Sequence, residues 1–136
     1  VYWGGVQRGA RGRGAKGKRP FVAAVSLNEE GHPMRMRFSV VEGFRKVELT
    51  KWAKVHLRPK SLAISDGLAC FRGVEDAKSF HLAIVTGGGA DCVELPYFKC
   101  VNTMISNVKN SMHGTHHAIN KKHLPRYLAE FCFKFN

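Results

Sequence analysis

A mixed α/β domain is the fold class this sequence predicts, on three observations. Two strand-like runs joined by a turn stand near its start, apolar residues recur at helical spacing in its middle and at its end, and short strand-like runs lie between. With 136 residues and 44% hydrophobic content, it can form one domain with a real core. The first strand is FVAAVSL at 21–27, a nearly continuous apolar run of the kind a central strand shows. NEEGHP supplies turn residues, and MRMRFSV at 34–40 then alternates. Met34, Met36, Phe38 and Val40 fall on one face, with Arg35, Arg37 and Ser39 on the other. The simplest pairing of these two runs is an antiparallel hairpin.

Next, Leu49, Trp52, Ala53, His56 and Leu57 recur at helical spacing, and Arg58-Pro59 stops that helix. SLAISDG at 61–67 reads as a strand that ends at Asp66 and a glycine. A helical turn around Leu68 to Phe71, a strand FHLAIV at 80–85 and the loop TGGGAD follow. Glu75 and Asp76, adjacent in sequence, read as a solvated turn. In the next helix Val101, Met104, Ile105, Val108 and Met112 form an apolar stripe. Beside it Asn102, Ser106 and Lys109 share a polar face at the rim of the core. The last helix presents Leu124, Tyr127, Leu128, Phe131 and Phe135 as core, with Pro125 in its first turn. Trp3, Trp52, Phe44 and Tyr97 read as core or hairpin aromatics rather than base-stacking platforms.

Charge adds a partner to this outline. The net charge is +12, and the stretch RGARGRGAKGKR holds Arg8, Arg11, Arg13, Lys16, Lys18 and Arg19 among four glycines with no acid. Such an arm at 8–19 cannot bury a core, and it suits the backbone phosphates of a polyanion. It is not a nucleotide-binding loop: Arg19 stands where a Ser or Thr is needed, and Pro20 leads into a strand. No apolar run is long enough to span a membrane, and no leader pattern is visible. Cys70, Cys92, Cys100 and Cys132 are scattered without a CxxC pair, as in reduced, packed thiols of a cytosolic protein. A start at Val1 and an end inside an apparent helix suggest an excised piece.

The combination VYWGG, a Gly/Arg/Lys arm ending KRPFVAAV, then ISDG, NTMISNVKNSMHGTHHA and KHLPRYLAEFCFKFN resembles the ISXO-type insertion-sequence transposases. The resemblance runs in order over essentially the whole chain, and HGT with HLPRYLAEF is its most specific part. It implies the DDE superfamily and an RNase H-like mixed sheet with flanking helices over 1–136. Its second acid falls on Asp66, and its third position, at the start of a late helix, falls on Asn102, the Asn-bearing variant. Lys109 follows seven residues later. The family's first acid would lie two residues before Val1, so the chain is expected to be inactive alone and to lack an upstream DNA-binding region.

The implied chemistry is magnesium- or manganese-assisted strand cleavage and transfer, with Asp66 and Asn102 on the metal and Lys109 on DNA. The implied partners are transposon ends and target DNA, with self-association on the DNA, in the cytoplasm at the nucleoid. His113 and His116 would line the DNA path after the helix carrying Asn102, or simply follow a turn at Gly114. His113, His116, His117 and His123 also have spacings open to zinc, but no cysteine lies close by to complete such a site. Asp91 and Glu94 are alternatives to Asn102. Two other readings use the same residues. A non-catalytic basic remnant would show no metal-dependent change at Asp66, and an RNase H-like nuclease would cut without joining.

Overall fold

The computed structural model describes residues 2–3, 18–84, 95–115 and 121–136, with side chains at 2–3, 96–97, 113–115 and 121 left aside. In its described parts the chain falls into two compact units, Val1–Val41 with Phe98–Asn136, and Glu42–Tyr97.

In the first unit, strands β1 (Tyr2–Trp3), β2 (Arg19–Leu27) and β3 (Pro33–Val40) form an antiparallel sheet in that order. The expected hairpin is present, with Ala23 opposite Phe38 and Val25 opposite Met36. Its turn is closed by Asn28, whose Oδ1 accepts the Glu30 and His32 N–H groups at 3.0 and 2.8 Å. Helices α3 (Pro96–Thr115) and α4 (Leu124–Phe135) complete the unit. Phe21, Met36, Phe38, Val108, Met112, Leu124, Leu128 and Cys132 make its core. The alternation of β3 thus buries Met36 and Phe38 as read, whereas Met34, at the strand's outer end, is 58% exposed.

Strand β3 lies at the end of this sheet, so some of its backbone groups face away from β2. Helix α4 meets them with side chains. The Phe38 N–H donates to Cys132 Sγ at 3.2 Å, and the Met36 N–H donates to Asn136 Oδ1 at 2.9 Å. Asn136 Nδ2 returns a bond to Met36 O at 3.1 Å, so one amide does the work of a neighbouring strand. Burial pushes the Cys132 thiol above its ordinary value, which keeps it protonated and unreactive, as a packed thiol should be.

In the second unit, α1 (Lys46–His56) buries Leu49, Trp52 and Ala53, while His56 is exposed. Strands β4 (Leu62–Ser65) and β5 (Phe80–Ala83) pair in parallel, Ala63 opposite His81 and Ser65 opposite Ala83. Between them run a 3₁₀ turn, Ala69–Arg72, and a one-turn helix α2 (Gly73–Asp76). Glu75 and Asp76 therefore close a helix instead of forming a simple turn. Asp76 Oδ2 lies 3.4 Å from Lys46 Nζ, a cross-element pair that sequence proximity does not reveal. Gly73 is the contact between α1 and α2. A methyl group there would sit 2.5 Å from Lys46 O and 2.9 Å from Thr50 N, distances that only hydrogen can occupy.

Candidate functional site

Strand β4 ends at Ser65, and the next two residues set the course of the candidate carboxylate. Gly67 has φ +88°, a conformation that side chains with a Cβ rarely adopt, so the chain can turn at once after the strand. The Gly67 N–H donates to Ser65 Oγ at 3.3 Å, and the Leu68 N–H donates to Asp66 Oδ1 at 3.2 Å. Asp66 is exposed, and among the described residues no Lys, Arg or His forms an ion pair with it. In a strongly basic chain, a strand-end carboxylate that accepts one backbone N–H and has no ion-pair partner among the described residues is chemically suited to an external cation.

Behind this turn stands a pair that sequence reasoning missed. His81 Nε2 lies 2.7 Å from Ser65 Oγ, and His81 Nδ1 lies 3.9 Å from Glu75 Oε1. The His81 side chain is only 4% exposed. The missing signal was register: FHLAIV reads as a strand, but nothing local says which strand it pairs with or which residue meets Ser65.

The other candidates belong to the first unit. Helix α3 begins at Pro96, a residue suited to a first turn, so Asn102 sits about two turns in rather than at the very start. Asn102 and Lys109 are half-buried and Ser106 is exposed, while Val108 and Met112 are buried. The polar stripe thus borders the core, as its spacing indicated. Burial first, and then the charge of nearby Lys18, hold the Lys109 ammonium below its ordinary value of 10.5. Helix α3 and the base of the basic arm therefore bring two cations into one electrostatic neighbourhood. Arg19 opens β2 and is exposed. Arg8, Arg11, Arg13, Lys16, Asp91, Glu94 and His116 lie outside the described residues, as does the side chain of His113.

The lowered Lys109 has a direct consequence. Its folded pKa lies below the unfolded one, so the protonated form opposes folding. That penalty is fully present below the folded pKa and is relieved as pH rises toward 10.5. Lys109→Met is expected to raise the denaturation midpoint at neutral pH, a gain that shrinks in alkaline buffer. Denaturation at several pH values checks this.

The Asp66 carboxylate is of the kind a hard divalent cation accepts, because magnesium and manganese take oxygen ligands. Among the described residues no three His, Cys, Asp or Glu side chains gather into one metal-sized cluster. No helix among them is long and apolar enough to cross a membrane.

No curated protein and no solved structure matches the chain. The model of the ISXO2-like transposase domain matches residues 1–136, the whole length. With that match over the full chain, it belongs to the ISXO2-like transposase domain family, enzymes that cut DNA.

Proposed function

We propose that residues 1–136 belong to the catalytic core of a DDE-type transposase in its Asn-bearing form, an enzyme that cuts DNA strands and joins them to a target with magnesium or manganese. The observation that carries this reading is Asp66: an exposed carboxylate at a strand end, in a turn held by backbone hydrogen bonds, with no ion-pair partner among the described residues. Asp66 offers carboxylate oxygens, and Asn102 its amide oxygen, as ligands for divalent metal. When bound, that metal supplies Lewis-acid polarisation and charge stabilisation for displacement at phosphorus. Asn102 is neutral, so it holds the ion more weakly than a glutamate would.

Lys109 and Lys18 take a DNA phosphate, and an anion there relieves the strain of two cations held close together. Arg8, Arg11, Arg13, Lys16 and Arg19 track backbone phosphates, and His113 and His116 line the DNA path. The fold that goes with this reading is RNase H-like. Parallel strands are found with both faces covered, yet Leu62 and Phe80 of the β4–β5 pair are 61% and 63% exposed. The enzyme works at the nucleoid, self-associated on paired DNA ends.

Asn102→Ala tests the neutral ligand. In the intact transposase it is expected to raise the magnesium concentration for half-maximal cleavage about tenfold, equivalent to about 1.4 kcal/mol of ion binding. An unchanged titration curve would remove Asn102 from the site and turn attention to Asp91 or Glu94.

A further inference from the structure

Asp66 follows Ser65, whose hydroxyl is in a buried hydrogen bond with His81 that the metal-ligand reading does not use. Ser65 is 9% exposed and its hydroxyl accepts the Gly67 N–H at 3.3 Å. His81 Nε2 lies 2.7 Å from the same hydroxyl. His81 Nδ1 faces the Glu75 carboxylate at 3.9 Å, which favours the proton on Nδ1 and leaves Nε2 to accept the Ser65 O–H. Every polar atom in the series then has a role. Glu75 faces the far side of the ring, His81 orients the hydroxyl, the hydroxyl holds the Gly67 amide, and Gly67 fixes the turn in which Asp66 stands.

The order Ser, His, Glu invites comparison with a nucleophilic triad, and the geometry argues against it. The serine is buried, and its oxygen already accepts a backbone N–H, so it is not presented to a substrate. Its neighbour is what faces solvent. The chain is built to hold Asp66 in place, because a metal ligand on a loose turn must be ordered each time the ion binds, at a cost in affinity.

We propose that Ser65 and His81 are positioning residues for Asp66, transmitting the packing of β5 and α2 to the carboxylate through the Gly67 amide. This rests on the reading of Asp66 as a metal ligand. The positioning itself is measurable without metal.

The test uses nuclear magnetic resonance on the protein with Ser65→Ala, Ser65→Thr, His81→Leu and His81→Gln. Thr keeps the hydroxyl, and Gln can place a carbonyl oxygen where His81 Nε2 stands. Amide exchange at Gly67 and Leu68 reports the turn, exchange along α1 reports the fold, and manganese broadening of Asp66 reports the ion. Ser65→Ala and His81→Leu are expected to speed Gly67 exchange with α1 unchanged and to weaken manganese binding by about 10- to 100-fold. Ser65→Thr and His81→Gln should restore most of both. Gly67 exchange and manganese affinity equal to the parent in Ser65→Ala and His81→Leu would overturn the proposal, as would restoration failing in both conservative variants while α1 stays protected. If manganese leaves Asp66 untouched in the parent, the metal reading fails instead, and Gly67 exchange still decides the relay.

Discussion

Asp66→Asn is expected to abolish metal-dependent strand cleavage, lowering the rate by about 10³-fold or more, the equivalent of about 4 kcal/mol in transition-state stabilisation. The change isolates charge from shape. Asparagine has nearly the size of aspartate, and its carbonyl oxygen can still accept the Leu68 N–H that Asp66 Oδ1 accepts at 3.2 Å. The turn should survive, and because Asp66 is exposed, the denaturation midpoint should move by no more than about 0.5 kcal/mol. What disappears is the negative charge that attracts a divalent ion. Cleavage of a labelled transposon end by the intact transposase, followed against magnesium concentration, gives the answer. Parent-like cleavage by the variant would take Asp66 out of the chemistry, and with it the proposed reaction. Set beside Asn102→Ala, the contrast is graded: loss of a charged ligand removes activity, whereas loss of a neutral one shifts the ion requirement.

Leu128→Ala should carry the largest stability effect, about 2–5 kcal/mol. Leu128 is fully buried on α4, in the cluster with Phe21, Met36, Phe38 and Val108. Phe21 and Phe38 already pack ring to ring, with centroids 5.9 Å apart, so little can slide into the vacated volume. Against a total stability of about 5–15 kcal/mol, such a loss brings this unit close to unfolding at moderate denaturant. Phe133 supplies the control. It lies on the same helix but is 83% exposed, and Phe133→Ala should shift the midpoint by no more than about 0.5 kcal/mol. Equal effects from the two would mean that α4 does not pack as described. Urea denaturation followed by circular dichroism distinguishes these outcomes.

Much of the architecture was legible because it repeats over neighbouring residues. The hairpin, the helix carrying Leu49, Trp52 and Ala53, and the apolar stripe ending at Val108 and Met112 all follow from periods of about 2 and 3.6 residues. The strand ending at Asp66 was readable too, from an apolar run stopped by an acid and a glycine. Helix boundaries were less so: α3 starts at Pro96, earlier than its apolar stripe. Glu75 and Asp76 were read as a turn because a one-turn helix has no period to detect.

By itself the sequence determined the hairpin strands, the longer helices, the excess of positive charge, and the acid that stands at the end of β4. Each of these is settled within a few residues, by backbone sterics, side-chain periodicity or simple charge. Tertiary structure decided the parallel register that brings His81 to Ser65, the Gly73 contact with α1, and the Asn136 and Cys132 side chains on the backbone of β3. These contacts join residues widely separated along the chain, Met36 and Asn136 by 100 positions. Such pairs meet only after the burial of whole helices and strands has outweighed the entropy of closing the chain between them, a balance no local stretch contains.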